Sequence, residues 1–166
     1  MKREIQNEIN FQDGDVDVVE VVKICVAQLI DNDFFILESD LNERTISSQL
    51  SRYLQISFSE WHVDCEYNRD HDDPKRLKVR AQGLVREELS RDTIGRTVFP
   101  DIIVHERGRS RNFIVIEIKK TTSAVDRGFD VKKLHAFKSQ LGYQYAIFLE
   151  IGTGNSAGCY ELICIE

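Results

Sequence analysis

Two carboxylates and one amine are expected to meet in the second half of the chain. Asp101 opens one β-rich segment, 99–106, and Glu117 and Lys119 close the next, 112–120. Because side chains alternate along a strand, Glu117 and Lys119 emerge on the same face. An antiparallel hairpin of the two segments brings Asp101 beside them. The sequence therefore predicts a cluster of three ionisable groups at one end of a sheet.

These three residues suit metal-assisted hydrolysis of phosphodiesters. Carboxylate oxygens are hard ligands that favour Mg²⁺ or Mn²⁺. Such an ion polarises a phosphoryl oxygen and lowers the pKa of bound water. Lys119 could orient the attacking water, assist its deprotonation or stabilise the charge of the transition state. The alternative is an ion-pair cluster without catalysis, since charge pairs at strand ends are ordinary.

The surrounding sequence predicts the elements that position this cluster. Helical spacing of apolar residues predicts helices, and alternation or short apolar runs predict strands. Helices are expected at 15–31, about 40–57 and 126–140, and strands at 61–67, 99–106, 112–120, 143–152 and 159–166. Asp15 or Asp17 is the expected N-cap of the first helix, and Ser39 or Asp40 that of the second. This order predicts an α/β layered protein with a mixed sheet.

The pattern resembles the PD-(D/E)xK superfamily of restriction-endonuclease-like nucleases. The matching residues are Pro100-Asp101 and Glu117-Ile118-Lys119, where the second motif ends an apolar strand. The resemblance implies an α-β-β-β-α-β core over about 40–151, with a mixed central sheet flanked by helices. It also implies that Asp101, Glu117 and the Ile118 carbonyl hold the metal ion, and that Lys119 lies at the water.

Supporting residues follow from the same resemblance. The first core helix of the family often carries an acid that faces the site, and Glu43 matches it. A further acid often ends the first strand, where Glu66 falls. The helix after the ExK strand often carries a basic residue that faces the site; Lys133 is the candidate and Lys132 its alternative. Glu43 is also an acid favoured by a helix dipole, and the lysines also suit a solvated helix face.

The charge distribution permits a nucleic-acid partner in the second half of the chain. The net charge of −6 argues against a wholly electrostatic nucleic-acid binder, but residues 1–73 carry −11 and residues 74–166 carry +5. A basic region can contact phosphates, although both halves could simply be solvated. The candidates for contact with nucleic acid are Arg109 and Arg111 in the hairpin turn, Lys120, and Lys132.

Length and composition predict one nuclease-like domain. The 166 residues, 42% hydrophobic and 30% charged, can bury a core. We expect an N-terminal helical extension at 1–38, a polar excursion at 68–98 with a short helix near 82–91, and a C-terminal strand at 159–166. The four cysteines lack metal-site spacing and are expected to be reduced and mostly buried. Without a signal-peptide or membrane-spanning pattern, a cytoplasmic protein is expected.

The leading hypothesis is a nuclease that hydrolyses DNA with Mg²⁺ or Mn²⁺. One alternative is a catalytically inactive nucleic-acid-binding or regulatory module on the same fold. Another is an interaction protein whose acidic N-terminal segment covers a partner. Dimerisation would be a natural way to cut both strands, and the sequence leaves the oligomeric state open. The GxGxxA match at 152–157 lacks a following helix, so a hairpin loop is predicted there instead of a nucleotide site.

Overall fold

A five-stranded mixed sheet organises the computed structural model, which describes residues 17–67, 76–77, 96–97 and 99–166. The helices are α1 (Val18–Glu38), α2 (Glu43–Ser57) and α3 (Arg127–Leu141), and the strands are β1 (His62–Cys65), β2 (Arg76–Leu77), β3 (Arg96–Thr97), β4 (Ile102–Glu106), β5 (Arg111–Lys120), β6 (Tyr145–Ile151) and β7 (Tyr160–Ile165). The main sheet has the order β1-β4-β5-β6-β7, and β2 pairs with β3. Strands β5 and β6 are parallel and the other pairs antiparallel. The predicted α/β class and mixed sheet are confirmed for the described residues.

Side-chain caps start the three helices of the described residues. Asp17, Asn42 and Asp126 cap α1, α2 and α3 by accepting hydrogen bonds from backbone N–H groups of the first turns. The prediction of Asp17 is confirmed, whereas that of Ser39 or Asp40 for the second helix is wrong. The chain first makes a turn in which Asp40 takes a φ of +51°, so α2 begins only after Asn42.

Helices cover both faces of the sheet, and the strand alternation divides the core between them. On one face, α1 and α2 pack with Ile116 and Ile118 of β5. On the other face, α3 packs with Val115 of the same strand. Each fully buried aliphatic side chain contributes about 1.5–3 kcal/mol relative to exposure. Glu117 and Lys119 both face α3, which confirms that the two side chains share one face, as the alternation predicted.

The four cysteines are unpaired, but the expectation that most are buried is wrong. Cys25 is buried within α1, whereas Cys65, Cys159 and Cys164 are exposed. The exposed thiols belong to the edge strands β1 and β7 or directly precede β7, where one side of the strand faces solvent.

Several predicted segments lie outside the described residues. These are the first 16 residues and most of the excursion at 68–98, including the short helix near 82–91. Among the helices that are described, none combines the length and the apolar character that crossing a membrane requires.

Candidate active site

The predicted hairpin joins the two motifs at its open end. Ile102 of β4 pairs with Ile116 of β5, and Asp101 directly precedes β4. One carboxylate oxygen of Asp101, Oδ2, accepts a hydrogen bond from the N–H of Ile118 at 2.7 Å. The N–H and C=O of a strand residue point toward the same neighbour, so the Ile118 carbonyl faces the side of Asp101 as well.

Glu117 is a buried acid with unmet hydrogen-bonding capacity. The residue is 2% exposed, and its Oε2 accepts from Nζ of Lys133 at 2.8 Å. Its other oxygen, Oε1, is buried without a hydrogen-bond partner among the described residues. Burial raises the pKa of Glu117 well above its usual value, and the charge of Asp101 adds to this effect. Burial also raises the pKa of Asp101, although the Ile118 N–H and Lys133 oppose the rise. Burial is therefore the main reason why the pKa values of the two acids are raised, despite the nearby ammonium of Lys133.

Lys119 contacts an acid that the sequence analysis missed. Its Nζ lies 2.8 Å from Oδ2 of Asp130 in the first turn of α3, and both side chains are buried. Burial is the largest single influence and lowers the pKa of Lys119, but the contact with Asp130 and the charges of Asp130, Glu43 and Asp101 together outweigh it. The pKa is therefore raised, and Lys119 keeps its proton.

A spacing pattern could have indicated Asp130. Asp130 and Lys133 are three residues apart and so share one side of a helix. Glu117 and Lys119 are two residues apart and share one face of a strand. In each pair the acid comes before the base, and the pairs meet crosswise: Glu117 contacts Lys133, and Lys119 contacts Asp130.

Glu43 approaches the same sheet end from the opposite helical layer. Its Oε1 accepts a hydrogen bond from the N–H of Lys120 at 3.2 Å. Its charge also acts on the pKa values of Asp101 and Lys119. The carboxylate therefore lies beside the cluster formed by the hairpin and α3.

Lys120 is held by an acid in the turn before α2. Its Nζ lies 3.0 Å from Oδ1 of Asp40. The same oxygen accepts hydrogen bonds from the hydroxyls of Thr153 and Thr122. These bonds, first that of Thr153, together with Lys120, lower the pKa of Asp40 to about 2. A role for Lys120 in binding nucleic acid would require it to leave this anchor, and that role stays a prediction.

Three of the remaining predicted residues pair with side chains outside the cluster. Glu66 is exposed and pairs with Arg44. Arg109 and Arg111 each pair with Glu106 at the closed end of the hairpin, about 16 Å along β4 from Asp101 at ~3.3 Å per residue. Lys132 is exposed on α3. The arginines thus belong to the opposite end of the sheet from the acids, and binding of nucleic acid by any of these residues stays a prediction.

Two carboxylates of the cluster offer oxygen ligands for a cation. Among the residues that the structure describes, no three His, Cys, Asp or Glu side chains form a ready metal-binding group. The donors present are the carboxylates of Asp101 and Glu117, hard oxygens of the kind that Mg²⁺ and Mn²⁺ prefer. The unpaired Oε1 of Glu117 and the raised pKa values of both acids are features that a bound cation would relieve. These two residues and the adjacent main chain therefore fit a divalent ion completed by water and substrate oxygens.

Comparisons of the chain with protein-family models, with curated proteins and with solved structures found no match.

Proposed function

We propose that this chain is a Mg²⁺- or Mn²⁺-dependent nuclease that hydrolyses DNA phosphodiester bonds on a restriction-endonuclease-like core. The observation that carries the proposal is the buried Oε1 of Glu117, which has no hydrogen-bond partner in the described residues and lies at the sheet end shared by Asp101 and Lys119. A buried carboxylate oxygen without a partner is costly, and a function that needs it is a physical reason for keeping it.

The residues divide into ligands and a cation. Asp101, Glu117 and the Ile118 carbonyl would hold the ion, which supplies Lewis-acid polarisation of the phosphoryl oxygen and activation of water when bound. Lys119 stabilises the charge that develops on the phosphate, because its raised pKa favours an ammonium over a general base. Glu43 fixes the backbone at Lys120 and adds negative charge beside the ligands.

The direct test is cleavage of plasmid and single-stranded DNA with Mg²⁺ or Mn²⁺. We expect cutting by the parent, none with EDTA, and none by Asp101→Asn, which removes a ligand charge. Asp31→Asn is the matched control, since Asp31 is exposed on α1. A parent chain that binds no divalent ion and cuts neither DNA nor RNA would refute the proposal.

A second candidate is a nucleic-acid-binding or regulatory module that does not cleave. The favouring observation is that Glu117 and Lys119 each form an ion pair with α3, as a static cluster would. DNA binding by a parent that cuts nothing, unchanged in Lys119→Ala, would support this candidate instead.

Asp130 is expected to be a positioning residue for Lys119. Asp130→Asn should lower the cleavage rate about 10–100-fold, the scale of losing a group that orients a functional residue, while divalent-ion affinity stays near that of the parent. Single-turnover kinetics and calorimetric ion titration measure the two effects. Asp126→Asn is the control, because Asn also caps helices well and Asp126 caps the same helix. Equal cleavage by Asp130→Asn and the parent would show that the ion pair is structural only.

A further inference from the structure

A pocket of about 200 Å³ opens beside Asp101, between α2 and the end of β1. It is lined by Arg44, Ser47, Ser48, Cys65, Glu66 and Asp101. Pockets for drug-sized ligands commonly span ~300–1,000 Å³, so this volume suits a smaller group such as one phosphate with part of its sugar. Because Asp101 lines the pocket, a group bound there lies next to the proposed metal site.

The pocket carries a guanidinium that a phosphate can recruit. Nε of Arg44 lies 2.7 Å from Oε1 of Glu66, and the two side chains are 81% and 43% exposed. An ion pair so open to water contributes little stability, so exchanging one anion for another is cheap. The planar guanidinium binds phosphate oxygens in bidentate fashion. Ser48 lies one helical turn after Arg44 on the same side of α2 and adds a hydroxyl to the pocket wall.

Glu66 is held in place by an uncommon backbone conformation. Its φ of +49° is in the left-handed region, which non-glycine residues adopt infrequently. Its N–H donates to the carbonyl oxygen of Asp101 at 3.2 Å, which fixes the end of β1 against the start of β4. The backbone of Glu66 is therefore fixed at the pocket rim, and strain of this kind is found at binding sites where the surroundings enforce it.

We propose that this pocket binds a phosphate of the DNA strand flanking the cleaved bond, with Arg44 as its cationic ligand and Glu66 as the carboxylate that occupies Arg44 when DNA is absent. The inference rests on the proposed nuclease function, which places a DNA strand over Asp101. It adds the substrate contact that the hairpin-tip arginines, at the far end of the sheet, cannot supply to the same site.

The roles of the Arg44 and Glu66 charges are tested by measuring how tightly the full chain binds a single-stranded oligonucleotide. The buffer contains EDTA, so no cleavage is expected. Arg44→Gln should weaken binding about 5–10-fold and reduce the slope of log affinity against log salt by about 0.7, one phosphate contact on a single strand. Glu66→Gln should tighten binding about 5-fold, because the competing carboxylate is gone. Arg52→Gln on the same helix and Glu60→Gln after it make the same charge changes away from the pocket and should have smaller effects.

Alkylation of the natural cysteines can report where the oligonucleotide binds, even when the protein does not cleave it. Cys65 lines the pocket, whereas the exposed Cys159 and Cys164 lie at the opposite sheet edge. The oligonucleotide should slow alkylation of Cys65 and leave the other two thiols unchanged, and Arg44→Gln should remove the protection. Inorganic phosphate alone is the second probe. If it protects Cys65 at higher concentration, the pocket recognises the phosphate group itself.

The outcomes separate this inference from the proposed function. An Arg44→Gln variant that binds and cuts DNA like the parent, with Cys65 unprotected throughout, overturns the pocket assignment and leaves the nuclease proposal standing. A parent chain that binds no DNA at any salt concentration and cuts none overturns both. Protection of Cys65 with the predicted changes in Arg44→Gln and Glu66→Gln supports the pocket even where cleavage is absent.

Discussion

Glu117→Gln should abolish metal-dependent cleavage while the fold survives. The amide keeps the volume of the side chain and can still accept a hydrogen bond from Lys133, but it removes the charge that a divalent ion needs. We expect the cleavage rate to fall by a factor on the order of 10²–10³ or more, the scale of losing one electrostatic stabiliser of a transition state. Calorimetric titration with Mn²⁺ should show weakened ion binding. Circular dichroism and thermal unfolding check that the chain is folded.

The matched control for this substitution is on the neighbouring strand. Glu150 of β6 is half-buried and pairs with Arg127, so Glu150→Gln makes the same acid-to-amide change beside a cation. It should leave cleavage within a few-fold of the parent. Equal ion affinity in Glu117→Gln and the parent would mean that Glu117 is no ligand. The ion-pair interpretation of the cluster would then be preferred.

Local periodicity was sufficient to predict the centre of the candidate site. Alternation in β5 depends only on neighbouring residues, and it correctly placed Glu117 and Lys119 on one face and Ile118 on the other. The hairpin placed Asp101 beside them because a short connection between two strands makes an antiparallel pair. These features are determined within about 20 residues of sequence, which is why they could be predicted without the rest of the fold.

The partners of the cluster depended on packing between distant segments. Spacing makes Asp130 a candidate partner, but Asp130 reaches Lys119 only because α3 lies across this face of the sheet, and spacing alone does not fix how a helix rotates on a sheet. Glu66 adjoins Asp101 through its backbone N–H, but its carboxylate pairs with Arg44 and its backbone is left-handed. A single backbone dihedral can redirect a side chain, and alternation does not predict it.

The arginines of the hairpin tip illustrate a different limit. The sequence identified the basic residues of the hairpin turn, but composition does not give their distance from Asp101 and Glu117. Arg109 and Arg111 pair with Glu106, which lies within five residues of both, so much of their charge is compensated locally. The hairpin that brings Asp101 to Glu117 also separates its tip from its open end. Any contact of the tip with DNA would therefore lie well away from the bond that is cut.

Gly152→Ala should destabilise the chain by about 1–3 kcal/mol or more, the cost of forcing atoms into a packed region. A Cβ at this position would lie 2.0 Å from the carbonyl oxygen of Ser156 and 2.9 Å from that of Cys159. These are backbone atoms, and they have little freedom to move because the N–H of Gly152 donates to the Cys159 carbonyl at 2.7 Å. The GxGxxA segment is thus a tight β6–β7 hairpin loop, as predicted, and the glycine is required by space. Chemical denaturation followed by circular dichroism measures the loss.

Gly154→Asn in the same loop is the contrasting variant. Gly154 has a φ of +59° with nothing within 4 Å of an added Cβ, and asparagine tolerates this conformation better than most residues, so stability should change by less than about 1 kcal/mol. The Gly152→Ala molecules that do fold should also cleave DNA more slowly than the parent. The adjacent Thr153 donates to Asp40, and Asp40 holds Lys120 next to the ExK motif, so a shift of the loop disturbs this chain of contacts. If both variants unfolded at the same denaturant concentration as the parent, the close packing inferred at Gly152 would be contradicted. A loss of stability in Gly152→Ala alone would instead show that steric room, not backbone dihedral, sets the glycine requirement of this loop.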